Sequence, residues 1–302
     1  MLRGVRKSRE LSIYEALLSR RKLSKEEEGQ YYNALQGYEG EKKYARLLQG
    51  HVGGEFISLF GLLLRQRSSV FEMDCLLILK KQLILIEVKS FVGEYSLIDD
   101  RFYSEKAQRA YANPIHQIKR AETNLIGLLT QMNIAVPVSS YVVFVHEGFT
   151  LFTERNPMII LPTQLEGFFA HINQLGGGVS SGHEKLAERL SGLHLTDNPY
   201  EQLPVVDYRQ LAKGLFCRSC RKRLTKQRYG VFCQGCLQYE SIDSAIIRAV
   251  IEFQTLFPEE AIKTAVVHNW IGGMFSKNTV RKILATNLNR YGTHKRTEYR
   301  FK

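Results

Sequence analysis

Residues 71–95, FEMDCLLILKKQLILIEVKSFVGEY, hold Asp74, Glu87 and Lys89, two carboxylates and an ammonium at a spacing that suits a hard divalent cation. Two short apolar runs meet at Lys80-Lys81-Gln82, and each carries a carboxylate where its apolar character stops, the pattern of a β-hairpin with a charged edge. Leu83 to Ile86 are apolar on both faces, as in a strand covered on both sides. Glu87 and Lys89 then project from one face and Val88 from the other. With Lys80-Lys81 as the turn, position 79 pairs with 82, and the same register sets Asp74 opposite Glu87. A slip of one residue would send Asp74 to the wrong face. Like charges opposed on paired strands repel, so carboxylates gathered at the end of a buried hairpin imply a bound cation.

A second set of ligands follows the pattern Cys217-x2-Cys220-x12-Cys233-x2-Cys236. Two such pairs form two knuckles able to close a tetrahedral Zn2+ site of four thiolates. A redox dithiol would place one pair at the start of a helix after a strand, and it leaves the second pair unexplained. Arg218, Arg221, Lys222, Arg223, Lys226 and Arg228 lie among these ligands, with no acid from 217 to 236. Part of this charge balances the metal, since four thiolates around Zn2+ carry a formal charge of about −2. The rest is available to phosphates. The fifth cysteine, Cys75, reads as a buried apolar residue.

The elements that must position these groups follow from periodicity. A helix is expected over 30–49, with Glu41, Tyr44 and Leu48 on its inward stripe. A carboxylate there needs a partner unless it reaches solvent at the rim. Asn113-Pro114 reads as an N-cap and first turn, opening a helix with Ile115, Ile118, Ala121, Leu125 and Leu128 in one stripe and Gln117 off it. Residues 141–145 form a buried strand, expected to be the last of the core sheet, in one layer with Val88. Residues 1–30 hold a short helix expected to pack on the main domain. Helices around 163–175 and 183–192 flank a glycine-rich connection.

The tail reads as helices over 245–253 and 259–270, a Gly272-Gly273 break, and a third helix capped by Ser276 that turns Lys277, Arg281 and Lys282 outward. Alternation from Asn289 to Phe301 suggests a hairpin. From Lys277 onward eight Lys and Arg, among them Lys295 and Arg296, face one acid, Glu298, a net +7. Three helices with a basic hairpin are similar to a winged helix and favour DNA.

Composition sets the bounds. Lys and Arg outnumber Asp and Glu by 42 to 30 in 302 residues, and the net +12 favours a polyanionic partner, nucleic acid first. No run is long enough to span a membrane, and the N-terminus has no apolar signal-peptide core. A cytoplasmic protein without a membrane partner is expected.

Asp, a spacer and Glu-x-Lys at a strand end resemble the PD-(D/E)xK nuclease core. The fuller pattern of Gly40-Glu41, Glu72-Met73-Asp74, Ile86-Glu87-Val88-Lys89 with Gly93, and Asn113-Pro114 with Gln117 resembles the nuclease-related domain, NERD, of that superfamily. The resemblance covers roughly 37–150. It implies an α/β fold, a restriction-endonuclease-like three-layer core with a mixed sheet, joined to a small zinc ribbon and a winged-helix-like C-terminal domain. The expected division is 1–36 helical extension, 37–150 nuclease domain, 151–213 helical connector, 214–240 zinc ribbon and 241–302 winged-helix-like domain. By the same resemblance Asp74, Glu87 and the Val88 carbonyl would hold Mg2+ or Mn2+, and Glu41 would complete the metal environment. Lys89 would act on the attacking water or the transition-state charge, and Gln117 would contact phosphate or water. The activity implied is metal-dependent hydrolysis of nucleic-acid phosphodiesters, DNA before RNA. Two alternatives stay open: a binding protein that keeps the nuclease fold as a scaffold, and a transcription regulator that works through its tail.

Overall fold

The computed structural model describes residues 3–293 and 297–302. The chain folds into two compact units, one of the chain up to Lys7 with Asn33–Glu201, the other of Ser8–Tyr32 with Gln202–Lys302. It opens with helices α1 (Arg9–Leu18) and α2 (Lys25–His51), and the boundary between the units falls inside α2.

The first unit contains β1 (Ile57–Gln66), β2 (Ser69–Ile78), β3 (Leu83–Lys89), β4 (Gly93–Ile98), β5 (Arg101–Ser104), β6 (Arg109–Tyr111), α3 (Pro114–Gln131), β7 (Val138–Phe144), β8 (Phe149–Thr153), β9 (Ile159–Ile160), α4 (Leu165–Leu175) and α5 (Ser181–Gly192). A mixed five-stranded sheet runs β1-β2-β3-β7-β9, antiparallel through β3 and parallel beyond it. Both of its faces are covered, which gives three layers. One face packs Tyr44 and Leu48 of α2 and Phe168, Phe169 and Ile172 of α4 against Ile84, Ile86 and Val143. The other packs Ile115, Ile118 and Leu125 of α3 and Ala187 and Leu190 of α5 against Leu83, Leu85 and Val142. The second sheet, β6-β5-β4-β8, joins this layer through stacked rings, Phe144 and Phe149 lying 4.0 Å apart.

The expected hairpin register is present. Cys75 pairs with Ile86 and Ile78 with Leu83, and the Leu79 N–H donates to the Gln82 carbonyl at 3.0 Å. Two expectations change. The strand over 141–145 is not the last of its sheet, because Ile159-Ile160, too short for any period to show, pairs beyond it and covers Val142. The N-terminal helix, expected on the main domain, is part of the second unit, where α1 packs against α6 (Ile242–Leu256). Its anchor is Arg20, buried just past the helix end, whose guanidinium lies 3.4 Å from the Trp270 ring centre and pairs with Glu252 at 2.7 Å. An arginine in a basic N-terminal stretch gives no sign in sequence of being buried.

The rest of the second unit is a ribbon of β10 (Thr225–Lys226), β11 (Gly230–Phe232) and β12 (Tyr239–Ser241), followed by α6, α7 (Thr264–Trp270), α8 (Lys277–Asn287) and the hairpin β13 (Asn289–Tyr291) with β14 (Glu298–Arg300). Ser276 caps α8 as expected. The middle helix begins later than its period suggests, because Ile262 stays extended and bridges to Tyr299 of the hairpin. Three helices with a hairpin that takes in a third extended segment make the winged-helix-like arrangement. No helix among the described residues is long and apolar enough to cross a membrane.

One irregularity in the main sheet matters for the site. Ile57 and Leu59 share a layer with Leu62 and Leu64, and their partners Ile78 and Leu76 share it with Met73 and Phe71, so the alternation of both strands changes phase at the rung of Gly61 and Asp74. Gly61 absorbs this with φ +58°, a left-handed conformation that a Cβ disfavours even in open space. Gly61→Ala is therefore expected to lower the stability of the full chain by about 1–2 kcal/mol. Gly37→Ala, in mid-helix with open space around it, should raise it by roughly 0.5–1 kcal/mol. Urea unfolding of both variants checks the pair, and a neutral Gly61→Ala would refute the account.

Candidate functional site

The ladder between β2 and β3 stops at Cys75 and Ile86. One step further the Val88 N–H donates instead to Asp74 Oδ2 at 2.7 Å. The side chain thus takes over a ladder hydrogen bond and lets the strands part. Glu87, 4% exposed, lies across from Asp74 in the continued register, and Lys89 follows on the same face. The Lys89 Nζ donates to Glu87 Oε1 at 2.7 Å and to Gln117 Oε1, in the first turn of α3, at 3.0 Å. Asn113 caps that turn, its Oδ1 accepting from the Ile115 N–H at 2.9 Å. The expected strand-end group, Asp74, Glu87, Val88, Lys89 and Gln117, is brought together.

Glu41 comes from α2, on the opposite layer. Gly40 allows its approach, since a Cβ at that position would sit 2.6 Å from the Ser90 Cβ. Gln36, one turn earlier, reinforces the approach by donating its Nε2 to the Ser90 carbonyl. Sequence reasoning misses Gln36, although its spacing of four from Gly40 is the available signal. It also misses the Tyr44 hydroxyl, fully buried near Cys75 without a hydrogen-bond partner among the described residues.

Charge crowding is the main electrostatic feature. Burial, then the neighbouring Asp74, pushes the Glu87 carboxyl up to about 8. Burial, then Asp74, Glu72 and Glu87, pushes Glu41 up to about 9. Asp74 is raised by burial, against the pull of Lys89 and the Val88 N–H. Glu72 is pushed the same way by desolvation and by Asp74 and Glu201, yet the residue as a whole is exposed, so solvent screens most of that effect.

The donor set fits a hard cation. All its oxygens are carboxylate or carbonyl, and among the described residues no hydrogen bond reaches Asp74 Oδ1 or Glu87 Oε2. These carboxylates are not drawn into a closed cage. Among the described residues, the four cysteines are the one group of three or more His, Cys, Asp or Glu whose ligand atoms lie within 4.8 Å of one another. An open pair of carboxylates suits Mg2+, which keeps several waters and is held through one or two such groups.

In the second unit Cys217, Cys220, Cys233 and Cys236 form that compact group, with Cys217 and Cys236 Sγ 3.4 Å apart and Cys220 and Cys233 Sγ 3.2 Å apart. A tetrahedral site with Zn–S bonds of about 2.3 Å needs sulfurs only slightly further apart. The two knuckles repeat one backbone pattern. The Cys217 N–H donates to Lys222 O and Arg221 N–H to Cys217 O, while Cys233 N–H donates to Gln238 O and Leu237 N–H to Cys233 O. Arg221 and Leu237 both take left-handed conformations, at φ 60° and 58°. The backbone N–H of Cys236, first among several donors, pulls the Cys233 thiol down to about 6, while Cys217 and the other thiols push Cys236 up to about 12, so without an ion the four sulfurs share their protons unequally.

Lys277, Arg281 and Lys282 are exposed on α8. Lys295 and Arg296 lie outside the described residues. Residues 36–145 match the family model of NERD, the nuclease-related domain. No curated protein matches the chain, and neither does any solved structure.

Two outcomes follow from these sites. In the unfolded chain Glu41 and Glu87 titrate near the ordinary 4.5, whereas in the fold they hold their protons to about 9 and about 8. Their contribution to stability is therefore complete below pH 4.5 and is lost as pH rises through 8 to 9. In Mg2+-free buffer Tm should fall between pH 5.5 and 8.5, and added Mg2+ should restore it at the upper pH far more than at the lower. Asp74→Asn/Glu87→Gln should flatten both responses, and a wild type indifferent to Mg2+ at pH 8.5 would count against the cation site. Metal analysis of protein purified without added zinc should find about one zinc per chain, falling with Cys233→Ser. A folded, zinc-free second unit would contradict this.

Proposed function

We propose that the chain is a metal-dependent nuclease that hydrolyses nucleic-acid phosphodiester bonds, DNA in the first place. The observation that carries this reading is the hydrogen-bonded line Glu87–Lys89–Gln117 beside the Asp74–Val88 bond, at a strand end inside the region that matches NERD. Asp74, Glu87 and the Val88 carbonyl would hold Mg2+ or Mn2+, with Glu41 behind them. A bound divalent ion supplies Lewis-acid polarisation of a phosphoryl oxygen and a more acidic water. Lys89 does the remaining electrostatic work. Its ammonium is fixed by Glu87 and Gln117, so it needs little reorganisation to meet charge that develops on a phosphate. Gln117 orients that ammonium through its carbonyl oxygen and keeps its amide N–H groups for phosphate or water. Glu41, pushed up to about 9 by burial and then by Asp74, would offer the ion a further carboxylate from the α2 side.

The exposed basic face of α8 supports a second component, retention of nucleic acid by the winged-helix-like part through Lys277, Arg281 and Lys282, with Lys295 and Arg296 in the same basic run. A protein that only binds would need this face and not the carboxylates.

Asp74→Ala, Glu87→Ala and Lys89→Ala are each expected to lower cleavage of labelled DNA by roughly 10^2 or more while leaving binding nearly intact. Arg281→Glu/Lys282→Glu is expected to weaken binding and to flatten its salt dependence by about 0.9 log-log units for each phosphate that is no longer neutralised. The assay is cleavage and binding of DNA and RNA panels with Mg2+, Mn2+ or neither. Equal cleavage by wild type and Glu87→Ala would remove the nuclease reading and leave the binding one.

A further inference from the structure

Beside the carboxylates the first unit has a cleft of about 250 Å3 whose walls include Glu72, Gln117, Arg120 and Tyr200, with Leu63 and Phe71 supplying apolar surface. Sites for drug-sized ligands occupy about 300–1,000 Å3, so this cleft is smaller than those and has room for one small planar group. Gln117 belongs to both places, because the oxygen that accepts from Lys89 sits on a side chain that also lines the cleft.

Tyr200 reaches the cleft on a segment tied to the edge strand β1. The Leu195 N–H donates to Leu63 O at 2.8 Å, and the Leu63 N–H donates to His194 Nδ1 at 3.1 Å. Asn198 then turns the chain, its Oδ1 accepting from the Tyr200 N–H at 3.0 Å and its carbonyl from the Glu201 N–H at 3.1 Å. The turn presents a ring that is 70% exposed at the mouth of this cleft. Arg120 is exposed in the same wall.

We infer, resting on the nuclease reading of the carboxylates, that this cleft takes one unpaired nucleobase of the strand being cut, with Tyr200 stacked on its face and Arg120 on an adjoining phosphate. Stacking needs an exposed aromatic face and tolerates any base, and Tyr200 provides one. Glu72 repels phosphate, which keeps the backbone on the Arg120 side, and its carboxylate accepts from an exocyclic amine. Adenine, cytosine and guanine carry that amine and are preferred to thymine and uracil, which do not. A base paired in a duplex is stacked above and below and offers no free face to a ring. The substrate class is therefore nucleic acid with unpaired nucleotides at the cut.

The test uses the full chain as wild type, Tyr200→Ala and Tyr200→Phe. Oligothymidylates carrying one 2-aminopurine at successive positions are bound with Ca2+ in place of Mg2+. Wild type and Tyr200→Phe should quench the fluorescence at one position, and Tyr200→Ala should not. With Mg2+, wild type should cut a single strand faster than the matching duplex. Tyr200→Ala should lower single-strand cleavage roughly 5- to 150-fold, the range expected for removal of one stacked ring, with duplex cleavage unchanged. Equal quenching by Tyr200→Ala, equal losses on both substrates, or a duplex cut as well as the single strand would each overturn the inference. A Tyr200-dependent quench in a chain that cuts nothing would retain the base subsite and discard the nuclease reading, whereas cleavage with no such quench does the reverse.

Discussion

The arrangement depends on one hydrogen bond, from the Val88 N–H to Asp74 Oδ2. A buried backbone N–H must find an acceptor, and in a regular sheet the neighbouring strand provides it. Here a side chain provides it at the rung where β1 and β2 change phase, so β2 can leave β3 without orphaning a donor. The parted strands give the opening in which Glu87 and Lys89 stand. Gly61, opposite Asp74 and in a left-handed conformation, is the conformational counterpart of that bond.

Placing several carboxyls around this opening is unfavourable without a counter-charge, and their upward displacement expresses that cost. Lys89 offsets part of it. The remainder is what a divalent ion would offset, since the groups that crowd one another as anions are the ones it would bring to full ionisation. Two layers contribute, because α2 can reach the strand end only where Gly40 lets it pass close to Ser90. The site is thus an edge where three layers meet.

The second unit solves a different problem. Its cysteine knuckles are short and its strands have two or three residues each, so zinc held by the four cysteines would supply, with the packing around Trp270, what a large core would. Arg20 is the costly part of that packing. Its burial is compensated by Glu252, by the Trp270 face and by the Ala212 carbonyl at 2.7 Å.

Much of this is legible in the chain. The Lys80-Lys81 turn and the period of two determine the register that sets Asp74 across from Glu87, because a slip would bury the charges. Cysteine spacing determines the four-thiol group, and the Asn113-Pro114 cap determines where Gln117 begins its helix. Other features rest on pairings between residues far apart in sequence, which no local period encodes. They include the strand Ile159-Ile160 at the sheet edge, the membership of α1 in the second unit through Arg20, the side-chain substitution of a ladder bond at Val88, and the delivery of Tyr200 beside Gln117 by a segment anchored to Leu63. A residue's type and its neighbours in the chain determine what it can do within its own element. Only packing decides which element it meets, because that choice depends on total buried surface and on hydrogen bonds satisfied across the whole fold.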